Sequence, residues 1–161
     1  MLDDIRMVAL ELSDAAAAER LLRAASPPRW TPMLVEQLSG AVRMPSEEAR
    51  AFALHSPRRE LLAVAVCGIF AGTRGAGRLH ALTVQEGARG CGIGTMLLER
   101  VLADLRHRRA RFILAEVPDD PPGLGDYWAF LARMGFREEG RVPDLFDGGV
   151  ALAFLRRELT R

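Results

Sequence analysis

The sequence predicts an α/β fold in which one mixed sheet is covered by helices. Three observations predict it. Strand-like apolar runs alternate with amphipathic helical stretches in the order β-α-α-β-β-β-α-β-α-β-β. The strongest run, residues 60–71 (ELLAVAVCGIFA), is nearly continuously apolar, the mark of a strand buried on both faces. The 161 residues are 49% hydrophobic, enough for one domain, residues 1–161, to bury a core without disulfides or structural metal.

Each element has a local reason. Residues 5–11 (IRMVALE) alternate weakly and read as a first strand. Ser13 or Asp14 caps an Ala/Leu-rich helix that runs to Ala25 and is stopped by Ser26-Pro27-Pro28. Thr31-Pro32 reads as an N-cap followed by proline at N1, opening a helix to Val42. Residues 51–55 form a short strand turned by Ser56-Pro57, and its His55 has no evident partner. Residues 73–77 are a Gly-rich hairpin turn between the long strand and a returning strand, residues 78–85. Residues 93–108 keep Ile93, Met96, Leu97, Val101, Leu102 and Leu105 on one helical face and end in cationic side chains at the negative end of the dipole. Residues 111–117 (RFILAEV) are a strand, and residues 118–125 a Pro/Asp/Gly loop. Asp126 caps a helix over 127–134 with Gly135 at its C′ position, and two strands close the chain, 136–142 and 150–155.

Composition excludes several classes. The formal net charge is +1, which argues against a nucleic-acid partner. No run of 18 apolar residues spans a membrane, and the acidic MLDDIR start lacks a secretory pattern, so a cytoplasmic location is expected. The two cysteines, Cys67 and Cys91, have no metal-ligand spacing, and no metal is expected. All 22 basic residues are arginine and the chain has no lysine, which rules out a Schiff-base lysine and a Walker-type phosphate loop.

The informative segment is residues 79–98, LHALTVQEGARGCGIGTMLL. A strand ends near Val84, glycines crowd the next turn, and a helix begins. Unpaired N–H groups at a helix N-terminus bind anions, and glycines let a phosphate approach the main chain. A dinucleotide fingerprint requires GxGxxG, but Thr95 stands where its third glycine belongs. Arg89, Gly92 and Gly94 satisfy a different spacing, Arg-x-x-Gly-x-Gly, in a diphosphate-binding turn. An ordinary Gly-rich strand-to-helix turn is the plainer alternative.

With the later Met134-Gly135-Phe136 and the order of the elements, this segment resembles the acetyl-CoA-binding core of the GNAT superfamily of N-acyltransferases. The resemblance covers residues 5–155. It implies a mixed, mostly antiparallel sheet with two splayed central parallel strands and about four helices. It implies acetyl-CoA as co-substrate, with main-chain groups of Leu82 and Val84 facing it. The amides of Arg89, Gly90, Cys91, Gly92, Ile93, Gly94 and Thr95 would hold its pyrophosphate. It also implies an amine acceptor, a small molecule or peptide, acetylated by direct attack on the thioester, and it is compatible with a homodimer formed through the last strands.

The chain departs from the family where protons move. Leu131 stands at the position of a tyrosine that protonates the thiolate in many members, so Tyr127, one helical turn earlier, is the candidate acid. Arg78 stands where some members carry a glutamate base. His80 is the candidate base, and strand alternation places it on one face with Arg78, Leu82 and Val84. The plainer reading of His80 is a structural histidine bonded to backbone. Glu116 either faces the acceptor or pairs with an arginine, and Trp30 either walls the acceptor site or packs in the core. Two readings of other classes remain: a CoA-binding module without turnover, favoured by Leu131 and Arg78, and a nucleotide-binding regulator.

Overall fold

A computed structural model describes residues 6–159. The opening MLDDI lies outside the described residues, so the first strand is seen only as β1, Arg6–Ala9. There follow α1 (Ala15–Ala25), α2 (Thr31–Arg43), β2 (Arg50–His55), β3 (Leu61–Ile69), β4 (Ala76–Val84), α3 (Ile93–His107), β5 (Phe112–Pro118), α4 (Pro121–Arg133), β6 (Arg137–Phe146) and β7 (Val150–Glu158). The seven strands form one sheet in the order β1-β2-β3-β4-β5-β7-β6. Every pairing is antiparallel except β4 with β5. This is the mixed sheet that the resemblance implies.

The apolar run in β3 divides its side chains between two cores. Ala63, Ala65 and Cys67 point into the layer filled by α3 residues such as Leu97, Val101 and Leu105. Val64 and Val66 point into the layer under α1 and α2, with Ala18, Leu22 and Leu38. Alternation along a strand sandwiched between helices therefore produces an unbroken apolar sequence, as expected. Cys67 is a free thiol whose burial pushes its pKa up to about 12, so it packs as a small hydrophobe.

The central parallel pair is short. β4 and β5 pair only from Ala76↔Phe112 to Leu79↔Ala115, although β4 continues to Val84 and β5 to Pro118. β5 instead pairs along its whole length with β7. The register supplies a cause. Cys67 of β3 faces Leu79 while Val66 faces Ala81, so His80 is an extra residue in β4. A β-bulge bends its strand and increases its twist, and this one lies where β4 leaves β5.

Two predicted boundaries shift. α4 begins at Pro121 with prolines in its first turn, six residues before the expected start, and the Leu124 N–H donates to Asp120 O at 2.8 Å. Asp126 therefore lies inside the helix and caps nothing. Proline is suited to a first helical turn, where its missing N–H has no intrahelical acceptor in any case. Thr31 lies inside α2, with Trp30 at the N-cap position, and its hydroxyl donates to Pro27 O at 3.2 Å. Asp14 occupies the N-cap of α1 without a capping bond. Its carboxylate lies 3.2 Å from His55 Nε2 and gives that histidine its partner.

Candidate active site

Beyond Leu79 the divergence of β4 and β5 opens a cleft of about 880 Å³. One end is formed by the loop before α3 and by α4, with Gly90, Gly92, Thr95 and Tyr127 among its walls. The other end lies under α1, α2 and the loop between them. The cleft thus joins the two faces of the sheet through the gap between the strands.

The loop at the first end is built for an anion. Residues Glu86–Ala88 form a single 3₁₀ turn that uses up the Arg89 amide, whose N–H donates to Glu86 O at 3.2 Å. Arg89 is therefore removed from the predicted set of main-chain donors. Its side chain is engaged as well, with Nε donating to Val84 O at 3.1 Å. The amides from Gly90 to Thr95 have no hydrogen-bond acceptor among the described residues. Gly92, at the N-cap of α3, has φ +82°, and Gly90 has φ +75°, values that glycine adopts without strain. Six open donors at the positive end of a 15-residue helix make an electropositive cradle. The Cys91 side chain is exposed and does not line the cleft, while that of Ile93 is buried in the α3 core, so both can contribute only main chain there.

The edge of β4 continues this cradle. The Gln85 N–H donates to Leu62 O, on the β3 side. Alternation then turns the main-chain groups of Leu82 and Val84 toward β5, where the ladder has ended. An extended amide-bearing chain can pair with that edge as a strand would.

The bulge corrects the expected arrangement of side chains. His80 and Arg78 share the α1/α2 face, but Leu82 and Val84 pack on the opposite face against the α3 core. His80 Nε2 lies 3.4 Å from the carbonyl oxygen of Glu48, so Nε2 carries the hydrogen and Nδ1 the lone pair. That Nδ1 is buried and has no partner. Burial, reinforced by the Arg78 charge, lowers the His80 pKa to about 4, against a weaker opposing effect of the Glu48 carbonyl. The imidazole is therefore neutral at pH 7. Arg78 Nη2 is 2.9 Å from Glu116 and its guanidinium lies over the Phe70 ring at 5.0 Å. The pair bridges the two strands at the point where they separate, and both residues line the cleft.

A pH test follows from the buried imidazole. An unfolded histidine titrates near 6.5, so between pH 6.5 and 4 the unfolded chain holds the extra proton and the fold loses stability as pH falls. Urea unfolding is expected to show His80 costing roughly 2 kcal/mol at pH 5 relative to pH 7. His80→Leu removes that component of the slope; an unchanged slope would mean that the imidazole is solvated.

Tyr127 also lines the cleft, its ring centroid 6.5 Å from that of Phe130. Burial raises its phenol pKa above the ordinary value, so it stays protonated and keeps an O–H to donate. Leu131, one turn later, is fully buried in the α3 core and does not reach the cleft. Trp30 is 7% exposed, packed edge-on against Phe146 at 3.9 Å, and lines the cleft. Sequence reasoning missed Phe146 and Gln37, which also line it. A polar residue on an amphipathic helix gives no sign of the tertiary wall above it.

A parallel pair that opens beside a glycine-rich helix N-terminus is the framework of the GNAT acyltransferases. The sequence matches the model of the Acetyltransferase (GNAT) family over residues 16–136. The chain belongs to the GNAT acetyltransferase family. Solved structures agree on the fold. A GNAT-family protein from Desulfovibrio desulfuricans superposes with a TM-score of 0.85 at 19% identity, covering 97% of this chain and 98% of that one. The ribosomal-protein-S18-alanine N-acetyltransferase of Escherichia coli gives 0.76 at 18%, covering 98% and 95%. The yncA protein of Salmonella typhimurium, solved with its cofactor acetyl-CoA, gives 0.75 at 16%, covering 98% and 95%. A search of curated protein sequences returns no significant match. Among the described residues, no helix is long and apolar enough to cross a membrane, and no group of three or more His, Cys, Asp or Glu could hold a metal ion.

Proposed function

We propose that the chain transfers an acetyl group from acetyl-CoA to a primary amine by direct attack within the cleft between β4 and β5. The observation that carries this reading is the run of main-chain groups from Leu82 and the Val84 N–H to the amides of Gly90–Thr95, interrupted only where the Val84 carbonyl accepts from Arg89 Nε. A diphosphate fits the amide cradle, and a chain of amides fits the free edge of β4. Acetyl-CoA supplies the acetyl group already activated as a thioester. The Val84 N–H is the main-chain donor nearest the loop for a carbonyl oxygen that gains charge. His80, neutral with an open Nδ1 lone pair, is the candidate acceptor for the proton that the amine gives up, a weak base whose pKa is lowered to about 4. Tyr127, held protonated by burial, is the donor for the departing sulfur.

Release of free thiol on mixing protein, acetyl-CoA and an amine panel tests the transfer. His80→Ala is expected to lower kcat by about 10- to 100-fold at neutral pH with little change in CoA affinity. Equal rates would assign His80 to structure alone. The non-catalytic CoA-binding module keeps two observations on its side, the burial of Leu131 and the engagement of Arg78 by Glu116. Binding of CoA with no acceptor-dependent thiol release would favour it.

A further inference from the structure

We propose that the end of the cleft beneath α1 and α2 is selective for a small, largely apolar primary amine, and that Trp30 and Gln37 determine that selectivity. The inference rests on the acetyl-transfer reading and adds the acceptor's chemical class. Four features support it.

The walls at this end are mostly apolar: Leu22, Pro27, Leu34, Trp30, Phe146 and Leu152. Set among them are three buried polar atoms that have no partner: Trp30 Nε1, Gln37 Oε1 and His80 Nδ1. Orphaned polar atoms in a native interior call for a ligand or water. Two of them accept hydrogen bonds and one donates. An amine nitrogen satisfies the acceptors, and the face of an aromatic ring takes the indole N–H.

Charge narrows the choice further. The ionised groups on the strands at this end are Arg78 and Glu116, which neutralise each other at 2.9 Å. The other charged lining residues, Arg89, Asp126 and Arg133, belong to the loop before α3 and to α4, at the opposite end. A polyamine or a dicarboxylate would bury two or more charges here without a free counter-charge, whereas a monoamine brings at most one, which it loses on deprotonation. The entrance is also barred. Arg29 Nη1 donates to Asp147 O at 2.8 Å, and Trp30 meets Phe146, so the α1–α2 loop is tied to the turn between β6 and β7. An extended polypeptide would need that seam open, whereas a compact amine would not.

Calorimetry on the CoA-loaded protein tests the selectivity independently of turnover. The probes are 2-phenylethylamine, spermidine, L-glutamate and a tetrapeptide with a free N-terminus. 2-Phenylethylamine is expected to bind at least about tenfold more tightly than the other three, and Trp30→Ala and Gln37→Leu are each expected to weaken it at least about fivefold. CoA affinity should stay within about twofold in both variants. Gln37→Leu keeps the helix face apolar, so it answers the question if Trp30→Ala fails to fold. Preference for spermidine, glutamate or the peptide overturns the inference, as does 2-phenylethylamine binding that ignores both substitutions. CoA that does not bind at all overturns the transfer reading and this inference with it. Binding of 2-phenylethylamine without its acetylation overturns the transfer reading and upholds the selectivity.

Discussion

Gly92→Glu is expected to abolish CoA binding, raising Kd at least about 100-fold, while the protein stays folded. Two effects combine at this residue. Its φ of +82° is one that other L-residues adopt at a cost of about 1 kcal/mol. Its Cβ direction is open, with no atom within 4 Å, so a longer side chain meets no steric barrier to folding. The carboxylate then sits at the helix N-terminus and occupies the electropositive cradle proposed for the diphosphate. Gly92→Ala separates the two effects, since it imposes the backbone cost without the charge and should weaken binding far less. Calorimetry with CoA reads both variants. Unchanged affinity in Gly92→Glu would remove the loop from the binding site.

Gly68→Ala is expected to be the most damaging single-methyl change to stability. An added Cβ would lie 1.7 Å from Glu48 O and 2.2 Å from its carbonyl carbon. Both are backbone atoms, so no side-chain rotation relieves the overlap. The same stretch accepts the Ile69 N–H at Glu47 O, 2.8 Å, and receives His80 Nε2 at Glu48 O. Moving it off β3 breaks a main-chain bond and frees the imidazole. Overpacking of this kind costs about 3 kcal/mol. For a chain of this size the thermal midpoint should fall by roughly 6–12 °C. A midpoint within a degree or two of the wild type would mean that the segment does not rest on β3.

Those two glycines differ in how visible they are in the sequence. Gly92 announces itself through its neighbours, because a Gly-dense turn between an apolar strand and an amphipathic helix has few structural meanings. Gly68 sits unremarked in an apolar run, since its necessity comes from a loop that crosses it from residues 47–48. The same distinction runs through the fold. Strand β3 and helix α3 were legible because burial on both faces, or on one, leaves its own periodicity. The start of α4 was hidden because Pro121-Pro122-Gly123 has the composition of a loop, although proline is at home in a first helical turn. The bulge at His80 was invisible for a subtler reason. Both faces of β4 are covered by helices, so Leu79 and Ala81, the neighbours of the extra residue, are apolar although they fall on opposite faces. Alternation therefore carries no record of the change of face and groups His80 with Leu82 and Val84. The cofactor loop needed only local chemistry to be read. The other end of the cleft, assembled from α1, α2, β6 and β7, is readable only from the tertiary structure.

The extra residue in β4 also bears on how such a chain diversifies. The gap between the central strands depends on how many residues β4 sets opposite β3, a count that no exchange of one side chain for another can alter. Only an insertion or deletion would re-register the strand. Exchanges of the side chains around the opening, Arg78 among them, leave the aperture itself unchanged.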